Sequence, residues 1–181
     1  MADIDLTFTI PPEVTFEQAI AIAQDLLAAQ PTDDVLTAAI TALVATPNGA
    51  RGFLVTFLSG DLSGEFARAD RPTEAVAQGL RTNPELIADL MAKNLAMSTA
   101  MELTHRRNGH PEMAAGSHLT QQRSRQLIQG LHLPIVQNRL MALQQSITQG
   151  RGEYADFLAR WGYDDEQKAA ILAAIEPLIS P

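Results

Sequence analysis

The chain has no cysteine among its 181 residues. That absence excludes a disulfide scaffold, a thiolate metal site, a cysteine-held iron–sulfur cluster and a thiol nucleophile. Aromatic residues are scarce, at 5%, so the interior has to be built from Leu, Ile, Ala, Val and Met, a mixture that suits helices better than sheets. No apolar run approaches the roughly 18 residues of a membrane span. The opening residues Met1-Ala2-Asp3-Ile4-Asp5 are acidic and lack the basic and apolar regions of a secretory signal. Cytoplasmic localisation without membrane attachment is the expectation. Nothing in the order of residues matches a nucleophile elbow, a phosphate-binding loop or a dinucleotide fingerprint.

What is present is an ordinary globular balance, 46% hydrophobic and 19% charged, which argues against disorder. The net charge of −8 is unevenly spread. Residues 1–92 carry 13 acidic and 4 basic side chains, residues 93–151 carry 2 and 7, and residues 152–181 carry 6 and 2. A basic middle between acidic flanks either docks on those flanks, stays solvated, or meets an acidic partner. The overall pI near 4.9 and the lack of interleaved aromatics count against nucleic acid.

Ile4–Ile10 alternates apolar and polar residues and ends at Pro11-Pro12, the pattern of an extended, half-buried segment. The only other strand-like run is Phe53–Leu58. Its spacing also fits a short buried helix, which is preferred, and this leaves residues 1–12 as an extended arm on the domain or on a second subunit. From Thr15 onward the apolar period is helical. Thr15 with Gln18, and Asp164 with Gln167, have the spacing of reciprocal caps. The first helix stops at Gln30-Pro31. A second follows Thr32-Asp33 and halts at Pro47-Asn48-Gly49. A polar loop over Ser59–Arg71 precedes a short helix at about residues 73–81. Pro84 opens a long helix that Asn108-Gly109 stops with Arg106 and Arg107 in its last turn. His110-Pro111 then opens an antiparallel partner, about 111–130. Small residues on the first (Ala96, Ser98, Thr99, Ala100) and a stripe on the second (Met113, Ser117, Thr120, Ser124, Leu127, Leu131) predict a close hairpin. Val136, Leu140, Leu143 and Ile147 mark the next helix; Tyr154, Phe157, Leu158 and Trp161 mark an aromatic face. The expected fold is all-α: an irregular, mostly antiparallel helical bundle of seven to nine helices, forming one domain over residues 13–181, with the N-terminal arm.

Four arginines are candidates for a basic docking surface, because guanidinium forks suit carboxylates: Arg106, Arg107, Arg123 and Arg125. Along an antiparallel hairpin, Arg123 and Arg125 lie about 21–24 Å from the turn, so the two pairs are not expected to share a pocket. Glu102 and His105 form a single E-x-x-H pair, the weak candidate for a metal; di-iron bundles use two such pairs and further carboxylates. His105, His110, His118 and His132 all fall in the basic middle. No cofactor is called for.

Phe53–Leu58, Lys93–Met101 and Tyr154–Tyr163 give the chain a likeness, in style over most of its length, to uncharacterised helical proteins of cyanobacteria. The resemblance implies an all-helical fold and transfers no activity. The leading functional expectation is a non-enzymatic protein–protein interaction or regulatory protein, with an acidic protein partner and a homodimer formed through the arm. The alternatives are a small-molecule binder with an inter-helix cavity lined by Met91, Met101, Phe157 and Trp161, and a metal-dependent enzyme centred on Glu102 and His105.

Overall fold

A computed structural model describes residues 8–62, 64, 66 and 72–179. Most of the Ile4–Ile10 segment, and residues 63, 65 and 67–71 of the expected polar loop, lie outside the described residues. Residues 8–10 carry no strand, and the described chain is all-α. Among the described residues nine helices are delimited: α1 (Phe16–Ala29), α2 (Asp33–Val44), α3 (Pro47–Ser59), α4 (Glu74–Arg81), α5 (Pro84–Arg107), α6 (Pro111–Leu131), α7 (Pro134–Gln149), α8 (Ala155–Trp161) and α9 (Asp165–Ile179). Phe53–Leu58 is helical, inside α3. The helices group into two compact units, Met1–Ile87 and Ala88–Pro181. The division falls in the first turn of α5, so no loop or change of composition marks it.

In the first unit the capping box at α1 forms as spaced: Gln18 N–H donates to Thr15 Oγ1 at 3.2 Å, and Thr15 N–H donates to Gln18 Oε1 at 3.0 Å. Ala19, Ala23, Leu26 and Leu27 make its buried stripe. Pro47-Asn48-Gly49, expected to halt α2, instead begins α3. α2 has already ended at Val44, Thr46 accepts from Gly49 N–H at 3.1 Å, and Pro47 takes the first helical position, where its missing donor is not needed. α1 meets α3 at Gly52, where an added Cβ would overlap the Ala19 methyl. α2 meets α4 through Gly79 and Ile40, and Thr37 Oγ1 donates to the Ala75 carbonyl at 3.2 Å. Phe53 stacks on Phe57, whose ring is met edge-on by Phe66.

In the second unit α5 and α6 form the expected hairpin. Gly109 adopts φ +71°, and the His110 N–H closes on the His105 carbonyl at 2.9 Å. Ala96, Ser98, Thr99 and Ala100 are buried, as are Ser124, Leu127 and Leu131 on α6. Met113 departs from the stripe and is 54% exposed; it lies opposite the last turn of α5, where little helix remains to cover it. Val136, Leu140 and Leu143 of α7 are buried, but Ser146 takes the buried place next to Ile147. Its hydroxyl donates to the Ala142 carbonyl at 2.8 Å and accepts the Tyr154 N–H at 3.1 Å. The aromatic face of α8 also shifts. Tyr154 and Leu158 are buried, but Trp161 is 47% exposed. Helix α8 ends at Trp161, Gly162 turns the chain at φ +60°, and Tyr163 takes the inward position, edge-on to Phe157.

Candidate functional site

α9 is placed against α5 by its own cap. Asp164 Oδ1 accepts the Gln167 N–H at 2.8 Å, and Gln167 Oε1 accepts the Asp164 N–H at 3.0 Å. The Gln167 amide reaches α5, donating to Thr104 Oγ1 at 2.9 Å and to the Ala100 carbonyl at 3.3 Å. Arg107 finishes the join, with Nη1 2.6 Å from Asp164 Oδ2 and a second ion pair to Glu166. Hydrogen bonds to those carboxylates raise the Arg107 pKa; Arg107 first, then the Gln167 N–H, hold the Asp164 carboxyl below its usual value. Part of the basic middle thus docks on the acidic C-terminal section, and Arg107 is taken up by it.

Above that join α9 presents Ala170, Ala173 and Ala174. Small side chains there leave a cavity of about 330 Å³, walled by Thr99, Glu102, Leu103 and Arg106 of α5 and by Gln121 and Arg125 of α6. Gln121 Nε2 donates to Thr99 Oγ1 at 2.7 Å, and Thr99 Oγ1 donates to the Leu95 carbonyl at 2.7 Å. The Glu102 side chain is only 12% exposed and has two partners: Arg106 on Oε1 and His118 Nδ1, 3.1 Å from Oε2. A carboxylate only accepts, so the contact is a hydrogen bond in the tautomer that has the proton on His118 Nδ1. Arg125 is half-buried. Among the described residues it has no hydrogen bond and no ion pair.

The arginine candidates are therefore divided. Arg106 and Arg125 line one cavity, contrary to the expected separation; Arg107 faces Asp164 and Glu166; Arg123 is half-buried, makes an interaction of its own and is not in the lining. The separation read from the turn neglected side-chain direction. Helical side chains lean toward their own N-terminus, so in an antiparallel hairpin Arg106 leans away from the tip and Arg125 leans toward it. Glu102 turns to His118 and Arg106 (not to His105), and among the described residues no three of His, Asp and Glu are arranged to hold a metal ion. His118 and Gln121 were missed as site residues. The signal was available: folding the chain back at Gly109–His110 sets residue 102 opposite about 118, and 99 opposite about 121.

Met91, Met101, Phe157 and Trp161, expected to line an inter-helix cavity, do not line the cavity beside Arg125. Met91 is fully buried core and Trp161 is half-exposed. A second cavity, about 460 Å³, lies in the first unit between α1 and α3, lined by apolar Ile20, Leu27, Val55 and Leu62 and by polar Gln24, Ser59 and Asp61. Elsewhere in the second unit, Lys93 pairs with Asp89 at 2.7 Å and lies 5.9 Å from the Tyr154 ring centroid. The buried Tyr154 hydroxyl faces Asp89; burial foremost, then the charge of that carboxylate and a hydrogen bond to it, raise its pKa.

No described helix is long and apolar enough to cross a membrane. No curated protein and no solved structure matches the chain. Residues 15–178 match the family described as "Uncharacterised conserved protein UCP020893", and the chain belongs to that family.

Proposed function

We propose that this chain is a non-enzymatic interaction protein that docks an acidic segment of a partner protein on its second unit, with a partner carboxylate seated against Arg125. One observation carries the reading: Arg125, a residue of intermediate burial, lines a cavity and has no counter-ion among the described residues. Its nitrogens reach solvent and are open to an incoming carboxylate, which would form charge-assisted hydrogen bonds with them. The walls add one further cation, Arg106, and one anion, Glu102, so the site is left with one positive charge in excess. The cytoplasm, where a cysteine-free chain forgoes nothing, is the compartment of this reading.

The test is the binding of a fluorescein-labelled oligoglutamate peptide, followed by anisotropy at low salt. Arg125→Glu is expected to abolish binding. Arg151→Glu changes the net charge equally at an exposed position outside the cavity and is expected to leave most of it. Equal losses in the two variants refute the reading. Pairing of two copies through residues 1–12 belongs to the same proposal; deleting those residues and weighing the species by light scattering checks it, and an unchanged oligomer removes it.

A second reading rests on the first-unit cavity, whose apolar side would hold a small organic molecule. Native mass spectrometry of the purified chain decides that case by the presence or absence of a stoichiometric adduct.

A further inference from the structure

Resting on the docking reading above, we infer that the partner's carboxylate is taken by Arg106 and Arg125 together, through an exchange in which Arg106 leaves Glu102 and His118 keeps Glu102 paired. The two ends of the Glu102 carboxylate are held differently. Oε1 is held by Arg106, four residues on along the same helix, with a side chain 66% exposed. Such exposed i,i+4 pairs contribute little, and a long solvated side chain moves at small cost. Oε2 is held from the other helix by His118 at 3.1 Å. With a side chain only 12% exposed, Glu102 cannot be left without a partner cheaply. His118 supplies that partner, so Arg106 can turn toward an anion entering beside Arg125. Without His118, Arg106 is obliged to stay.

The charge of the walls selects the occupant. Two guanidinium groups and one carboxylate line the cavity, so one additional carboxylate balances them. A phosphate dianion overshoots and sets its second charge beside Glu102. The occupant is therefore a glutamate or aspartate side chain of the partner segment. The Ala170, Ala173 and Ala174 floor receives its methylenes, and Gln121, fixed by Thr99, lies within the lining beside Arg125. His118 acts as a positioning residue; it is absent from the lining itself.

The same oligoglutamate anisotropy assay separates the exchange from simple attraction. Glu102→Gln is nearly isosteric and releases Arg106, so it is expected to tighten binding several-fold. His118→Leu is expected to weaken binding several-fold, because Arg106 then stays on Glu102. The double variant His118→Leu/Glu102→Gln is expected to bind like Glu102→Gln alone, because a neutral amide no longer needs a cation. A His118 that merely braced the hairpin would give no such rescue. A phosphoserine peptide of equal length is expected to bind more weakly than oligoglutamate at equal net charge. If Glu102→Gln leaves affinity unchanged, or the double variant stays as weak as His118→Leu, the exchange is wrong while Arg125→Glu still reports docking. If Arg125→Glu matches Arg151→Glu, the docking reading itself has failed. Circular dichroism of each variant confirms the helical fold, and Arg106→Gln, at an exposed position, gives an independent arm: no loss of affinity there also overturns the exchange.

Discussion

Adding one methyl group to each of two glycines should move stability in opposite directions. At position 52, on the face of α3 that meets α1, an alanine Cβ would overlap the Ala19 methyl and stand 3.0 Å from both the Ala19 carbonyl carbon and the Ile20 nitrogen. Ordinary contact begins at 3.4 Å. Backbone atoms have no rotamer by which to step aside, so α1 as a whole must retreat by several tenths of an ångström. Overpacking of this kind costs about 1–3 kcal/mol, and replacing a mid-helix glycine by alanine returns about 1 kcal/mol. The net expectation for Gly52→Ala is a loss of up to ~2 kcal/mol. At position 116, on exposed α6 surface, a new Cβ meets nothing within 4 Å. Only the propensity gain remains, so Gly116→Ala should stabilise by about 0.5–1 kcal/mol. Urea denaturation followed by far-ultraviolet circular dichroism measures both, the midpoint moving down for one and up for the other with the slope unchanged. Ala19→Gly placed on Gly52→Ala should recover part of the loss, since it removes the methyl contact and leaves the backbone ones. A Gly52→Ala protein stabilised as much as Gly116→Ala would refute the close α1–α3 approach.

Three further outcomes follow from polar groups. Ser146→Ala takes away the acceptor of the buried Tyr154 N–H and should cost about 1–3 kcal/mol, as for any buried donor left unsatisfied; thermal or urea unfolding reads it, and a neutral change contradicts the assignment. Both tyrosines of the chain are buried, Tyr163 being pushed up to about 12 and Tyr154 higher still, chiefly by burial. Their unfolded value is near 10, so the stability linked to them is complete below pH 10 and declines as pH climbs through the folded values; tyrosinate absorbance should therefore stay low just above pH 10 and rise with unfolding. The Asp164 carboxyl titrates below its usual value of 3.8, because of Arg107 first and the Gln167 N–H second. Its contribution is present above that usual value and is lost as pH falls through the depressed one. Arg107→Ala should move its NMR titration upward, and Asp164→Asn, which preserves the cap, should unfold less readily than Asp164→Ala.

Much of this was legible in the chain because it is local. The reciprocal caps at Thr15 and Asp164, the reversal at Asn108-Gly109 and the helical character of Phe53–Leu58 each depend on residues within a turn of one another. What escaped depends on direction and on neighbours. Pro47-Asn48-Gly49 reads equally as an end or a beginning until Thr46 is seen accepting from Gly49. Trp161 has the spacing of a buried aromatic, but the helix stops under it. The alanines of α9 read as ordinary helix formers; that they hollow out a cavity beneath Arg106 and Arg125 depends on which residues of α5 and α6 they face. The pairing of Glu102 with His118 instead of His105 is likewise a cross-helix fact, recoverable only once the hairpin register is fixed.

The tip between α5 and α6 has a consequence for assembly. Two copies of a helical hairpin can trade arms if the turn straightens and both helices fuse into one rod. Here fusion is opposed at Pro111, which has no N–H to offer the Arg107 carbonyl four residues behind it and whose ring would collide with it, at a cost of about 3 kcal/mol. Gly109, left-handed in the turn, supplies the conformation that the reversal needs. Straightening this turn is therefore disfavoured by its own covalent chemistry, and arm-trading there carries that cost in each copy.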